Sequence, residues 1–380
     1  MNAESARGIA REWVREVAVH DPHFVGAVLH GSVNWMEDEA ELAPSSDIDV
    51  LVIRDGDDDA AKPGKFIYCD LLLEVSYLPW EAISTPEAVL GNYQLAGSFQ
   101  GAGLLADATG RLAELQAAVS SEYARREWVQ RRSEHVRMRA LQGFPMRPDD
   151  ELHDQVTSWL FSTGALTHMV LVPALENPTV RKRYLAARSV LSQYGFEDEY
   201  LAMLDLLGAR DLSATQVGGY LDAMTEAFDA AKQVIRTPFF FAADINDVSR
   251  SVAIDGSRDL IAVGDHREAI FWIVATYCRC RKVLTTDGAP GAHLPFEAGF
   301  QSMLNDLRVA GYDDRVKQIK RSRDEIPRVW NISNAIMSDL LASAGADSRE
   351  EQAPHLVQGA LTLGRSVIDT CETSHETGVS

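Results

Sequence analysis

The triplet Asp47-Ile48-Asp49, followed by Val-Leu-Val-Ile, sets two acids inside what otherwise reads as buried strand. Side chains alternate across a strand, so Asp47 and Asp49 leave it on one face while Ile48 and Val50 leave on the other. Two carboxylates side by side repel each other. A divalent cation between them relieves that repulsion, and magnesium suits the pair because it takes hard oxygen ligands, commonly one or two carboxylates plus substrate phosphates. Upstream, Gly31-Ser32 follows the apolar run FVGAVLH. Glycine allows close backbone approach and unusual dihedrals. A helix opening at Ser32 would turn free N–H groups and a helix dipole toward a phosphate, with Ser32 Oγ as one more donor. Downstream, LLLEVSYL holds Glu74 among apolar neighbours, a placement that makes sense if it faces the same site. The competing reading of Asp47 and Asp49 is a turn and edge strand whose acids cap backbone amides. Gly31-Ser32 and Glu74 together weigh against it.

The elements that must position these residues are legible from periodicity. Residues 3–18 pattern as an amphipathic helix through Ile9, Trp13 and Val17. Residues 24–30 and 48–53 read as strands, 54–65 as a polar connection, and 66–78 as one or two further strands with a hairpin turning at Cys69-Asp70. Residues 103–115 suggest a last short strand, a turn and a helix start. From about residue 116 helical periodicity takes over, with helices expected over 121–141, 151–175, 179–195, 215–235, 266–284 and 312–342. The expectation is an α+β chain: a small mixed-sheet domain at 1–115, a larger all-α domain at 116–345, and a C-terminal helix with a frayed tail at 346–380.

Composition narrows the function classes. The chain has 380 residues, 46% of them hydrophobic, and a net charge of −20 at pH 7. A protein gripping nucleic acid through its phosphates normally carries a basic face, so DNA and tRNA are disfavoured as partners, and a cationic small molecule is the more natural one. No apolar run is long enough to span a bilayer, and the N-terminus mixes both charge signs rather than forming a signal peptide; a cytoplasmic protein is expected. Cys69, Cys278, Cys280 and Cys371 lack zinc-ligand spacing and read as reduced thiols.

HGS at 30–32, DID at 47–49 and LEV at 73–75 together resemble the polymerase-beta-like nucleotidyltransferase superfamily. A minimal domain followed by a helical one looks most like its antibiotic nucleotidyltransferases, of the aminoglycoside type. The resemblance covers roughly the first 110 residues and departs in its 14-residue spacer, 33–46, whose Glu37, Asp38, Glu39 and Glu41 read as a solvated loop. It implies Asp47, Asp49 and Glu74 as catalytic, metal-binding carboxylates for two Mg2+ ions, with Gly31 and Ser32 on the triphosphate of ATP or another NTP. It implies transfer of a nucleoside monophosphate, commonly AMP, to a hydroxyl of a small molecule, with antibiotic resistance as one setting. Two alternatives stay open: nucleotidylation of a protein acceptor, and a non-catalytic, antitoxin-like nucleotide-binding module. In the helical region, Arg125, Trp128, Arg132, His135 and Arg139 share a helix face that reads as solvated, Asp154 as structural, and Asp265, His266 and Glu268 as a helix cap.

Overall fold

The computed structural model describes residues 1–56 and 62–350. Part of the expected polar connection, most of the expected tail and Cys371 lie outside the described residues. The chain opens with α1 (Ala3–Glu16), whose first turn is capped by the Asn2 side chain accepting from Ser5 N–H at 3.0 Å. Ala3, Ala6, Ala10, Trp13 and Val14 form its buried stripe. The small residues let the helix lie close against a five-stranded sheet.

That sheet comprises β1 (Phe24–His30), β2 (Ile48–Arg54), β3 (Gly64–Tyr68), β4 (Leu71–Pro79) and β5 (Leu104–Asp107), in the order β3-β4-β2-β1-β5. β2 and β4 run parallel and the other pairs antiparallel, so the sheet is mixed. β3 and β4 form the expected hairpin, turning at Cys69 and Asp70, both in left-handed backbone (φ 47° and 60°) as a two-residue turn of this twist requires. One face of the sheet, including Leu29, Ile48, Val50, Leu73 and Val75, packs under α1. On the other, Val25, Val28, Leu51, Ile53 and Leu78 pack beneath α2 (Pro86–Leu90), α3 (Ala96–Phe99) and α4 (Arg111–Glu122). Every residue of β2 is buried, which accounts for the continuous apolar run 50–53 after Asp49.

The remainder is helical: α5 (Arg126–Gln142), α6 (Leu152–Leu171), α7 (Arg183–Gln193), α8 (Glu197–Leu207), α9 (Ala214–Val234), α10 (Gly256–Ala262), α11 (His266–Thr286), α12 (Glu297–Asp306) and α13 (Tyr312–Glu350). α6 and α11 are buried nearly all round and form the centre of a single large core. The expected division after residue 115 falls inside α4, and Val119 and Trp128 still pack into the core beneath the sheet. No helix among the described residues is long and apolar enough to cross a membrane.

Two readings of the helical region are corrected. The face of α5 is not solvated at its centre: Arg132 is buried, donates to the carbonyls of Leu90 (3.2 Å) and Tyr123 (2.6 Å), and lies over the Tyr123 ring. The guanidinium fork satisfies backbone acceptors that would otherwise be stranded where α5 meets α2 and α4. Asp265 stands at the N-cap of α11 and Glu268 in its first turn, as expected, but Asp265 makes no capping hydrogen bond; the two acids take the two ends of Arg188, at 2.9 and 2.8 Å, and the Tyr200 hydroxyl also donates to Glu268. Asp154 accepts from Lys282 at 2.8 Å.

His153, at the start of α6, is 3% exposed. Burial pushes its pKa down to about 4; Asp154 pulls the other way and Lys282, Arg281 and His293 push further down. Its folded pKa lies below its unfolded value of 6.5, so on acidification the unfolded chain binds the proton first. Its contribution to stability is complete above pH 6.5 and is lost as pH falls toward 4, by about 3 kcal/mol. Chemical denaturation of wild type and His153→Gln across that window should show the wild type losing stability more steeply. Equal slopes would contradict the assignment.

Candidate metal centre

Register builds the site. His30 lies opposite Asp49, Asp49 opposite Glu74, and Glu74 opposite Lys65. Cross-strand partners present their side chains on the same face, so these four form one polar row across β1, β2, β4 and β3. Asp47, two residues before Asp49, joins the row from just before β2. Asp47, Asp49 and Glu74 are 2%, 1% and 5% exposed, and each brings a carboxylate oxygen within 4.8 Å of the others. Two parallel neighbouring strands and one alternation rule thus collect the three predicted acids.

Gly31 closes the site from the end of β1. Its φ is +68°, and a Cβ there would lie 2.0 Å from Asp49 Oδ2. Only glycine permits both the backbone conformation and the approach. The expectation of a helix opening at Ser32 is met only by a 3-10 turn, Ser32–Trp35. A single turn supplies local N–H groups but no sizeable macrodipole. Asn34 fastens the turn by donating to the Gly97 carbonyl at 3.0 Å. The acidic residues of the 33–46 spacer are exposed, and two of them tie it to the N-terminus: Arg7 donates to Asp38, and the Met1 ammonium to Glu41 at 2.8 Å.

The residues that sequence reasoning missed are cations and a fourth acid. Lys65 Nζ stands 2.5 Å from Glu74, 2.5 Å from Asp244 and 3.7 Å from Asp47. Asp244 belongs to a short turn, Ala242–Asp244, between α9 and α10, and its other oxygen accepts from Arg279 of α11 at 3.0 Å. The Arg279 guanidinium is packed among the rings of Trp272 and Phe241. Gly64, at φ +69°, makes this junction possible: a Cβ on it would sit 2.6 Å from Ala243 Cβ and hold the turn away from β3. The only textual trace of Lys65 is its place beside Gly64 at a strand start, and Asp244 and Arg279 carry none.

Electrostatics follow from burial and these partners. Burial raises the Glu74 carboxyl above its ordinary pKa, against the pull of Lys65. Burial alone would raise Asp244 too, but Lys65 and Arg279 hold it below the usual carboxylate value. Burial works against the Lys65 ammonium, yet Asp244, Glu74 and Asp47 outweigh it and hold its pKa above a lysine's ordinary value. Burial pushes His30, which is hydrogen-bonded to Ser98, down to about 4, so it sits in the row as a neutral ring. No family model, curated protein or solved structure matches the chain.

Proposed function

We infer that this chain is a magnesium-dependent nucleotidyltransferase that moves a nucleoside monophosphate, AMP from ATP in the simplest case, onto a hydroxyl of a small molecule such as an amino-sugar. The observation that carries this reading is the buried convergence of Asp47, Asp49 and Glu74 within 4.8 Å, with Gly31 closed against Asp49. Oxygens sharing one magnesium at about 2.0–2.1 Å stand about 3–4 Å apart, so a small closure lets the trio hold one ion. All three donors are hard oxygens, with no thiolate among them, which favours magnesium or manganese over zinc. When bound, the cation would supply charge stabilisation at the phosphate and acidify an acceptor hydroxyl.

The chain's own groups account for the rest. Gly31 and Ser32 would hold phosphate oxygens through backbone N–H groups and the Ser32 hydroxyl. Glu74, within reach of the same site, would take the hydroxyl proton as the new bond from oxygen to the α-phosphorus forms. The bond from that phosphorus to the bridging oxygen breaks on the opposite side, and pyrophosphate leaves with the electron pair. A net charge of −20 suits a cationic acceptor.

Calorimetry with ATP and magnesium tests the centre: wild type should bind, and the Asp47→Asn, Asp49→Asn double variant should bind on the order of a hundredfold more weakly. Equal binding would remove the metal reading. Pyrophosphate release across aminoglycosides, other amino-sugars and nucleosides then identifies the acceptor. Silence across that panel with labelling of protein would move the acceptor to a protein side chain.

A further inference from the structure

We propose that the Lys65 ammonium stands permanently in the second cation position beside the carboxylate trio, so that the centre takes one divalent cation and not two. The inference rests on Asp47, Asp49 and Glu74 being metal ligands, and it concerns how many ions they hold. Two-ion phosphoryl-transfer centres set their cations about 3.5–4 Å apart, bridged by shared carboxylates. Lys65 Nζ already lies between Glu74 (2.5 Å) and Asp47 (3.7 Å), the two acids on its side of the row. A second ion drawn to the same oxygens would meet a like charge at contact distance.

The ammonium is held in place from several directions. Lys65 is paired in register with Glu74 on β3, and its side chain is 3% exposed. Asp244 receives it at 2.5 Å from the helical part of the chain. Asp244 is itself fixed by Arg279, and the close approach of Ala243 to Gly64 keeps the turn pressed on β3. Expelling Lys65 would push a charge through packed protein and leave Asp244 and Glu74 facing each other without it.

The test is Mn2+ alone, titrated into the full chain without nucleotide and followed by calorimetry and electron paramagnetic resonance. Wild type and Lys65→Arg should each bind one Mn2+ per chain, with the spectrum of an isolated ion. Lys65→Met should bind two, magnetically coupled, and its melting temperature should rise more in Mn2+ than that of wild type. Two ions in wild type, or one in a folded Lys65→Met, would overturn the proposal while leaving the metal centre intact. A Lys65→Met chain that stays unfolded at saturating Mn2+ would also overturn it, because an ion would then not replace the ammonium. A wild type that binds no Mn2+, behaving like Asp49→Asn, would overturn the metal reading itself.

Discussion

Asp49→Asn and Asp47→Asn are each expected to cut pyrophosphate release by at least about a thousandfold, equivalent to about 4 kcal/mol of lost transition-state stabilisation. The amide keeps the shape and removes the charge. Asp49 lies within 4.8 Å of two other buried carboxylates, so neutralising it removes part of their mutual repulsion. Magnesium should raise the melting temperature of wild type by mass action and leave that of the variant almost unmoved. Paired melting curves with and without magnesium, read beside pyrophosphate release, separate this outcome from misfolding. A variant that keeps turnover, or one that magnesium still stabilises as it does wild type, would remove these carboxylates from the chemistry.

The acids were legible to different depths. That Asp47 and Asp49 share a face follows from strand alternation alone, and β2 obeys it. Glu74 was marked only by its apolar surroundings. Its approach to Asp49 depends on β4 pairing parallel to β2 in one particular register, and a slip of one residue would have turned it to the other face. Lys65 meets Asp244 across 179 positions, and no periodicity reports a contact of that separation. Arg132 shows the opposite limit. A charged helix face reads as solvated until neighbouring elements end over it with carbonyls pointing inward, as Leu90 and Tyr123 do.

The helical region was legible mainly where stripes are long. Residues 151–175, 215–235 and 266–284 correspond to α6, α9 and α11, and 179–195 contains the shorter α7, which follows Pro178 and precedes Gly195; α8, α10 and α12 were not marked out. The expected helix over 121–141 instead begins at Arg126, after α4 ends at Glu122. α13 runs unbroken through Pro327, a residue that normally interrupts a helix. Its flanking Ile326 and Val329 are buried, and Ser333 donates to the Met169 carbonyl of α6, so packing on α6 offsets the lost backbone hydrogen bond.

Gly31→Ala is expected to lower turnover on the order of a hundredfold while leaving the fold recognisable. Two costs act together. Alanine at φ +68° carries backbone strain of about 1–3 kcal/mol. Its Cβ would also fall 2.0 Å from Asp49 Oδ2, a distance no pair of atoms sustains, so either the carboxylate or the turn must move by about 1 Å. A displacement of that size in a positioned group is worth about a hundredfold in rate. Gly64→Ala is the matched control, because it adds comparable strain at φ +69° but collides with Ala243 and not with Asp49. Both variants should lose similar stability in chemical denaturation. Gly31→Ala should weaken Mn2+ binding through Asp49, whereas Gly64→Ala should act through the Lys65–Asp244 junction and spare the Asp49 ligand. Were Gly31→Ala to keep wild-type Mn2+ affinity and turnover, the glycine would be serving the turn alone, and the phosphate cradle would have to be sought elsewhere around the row.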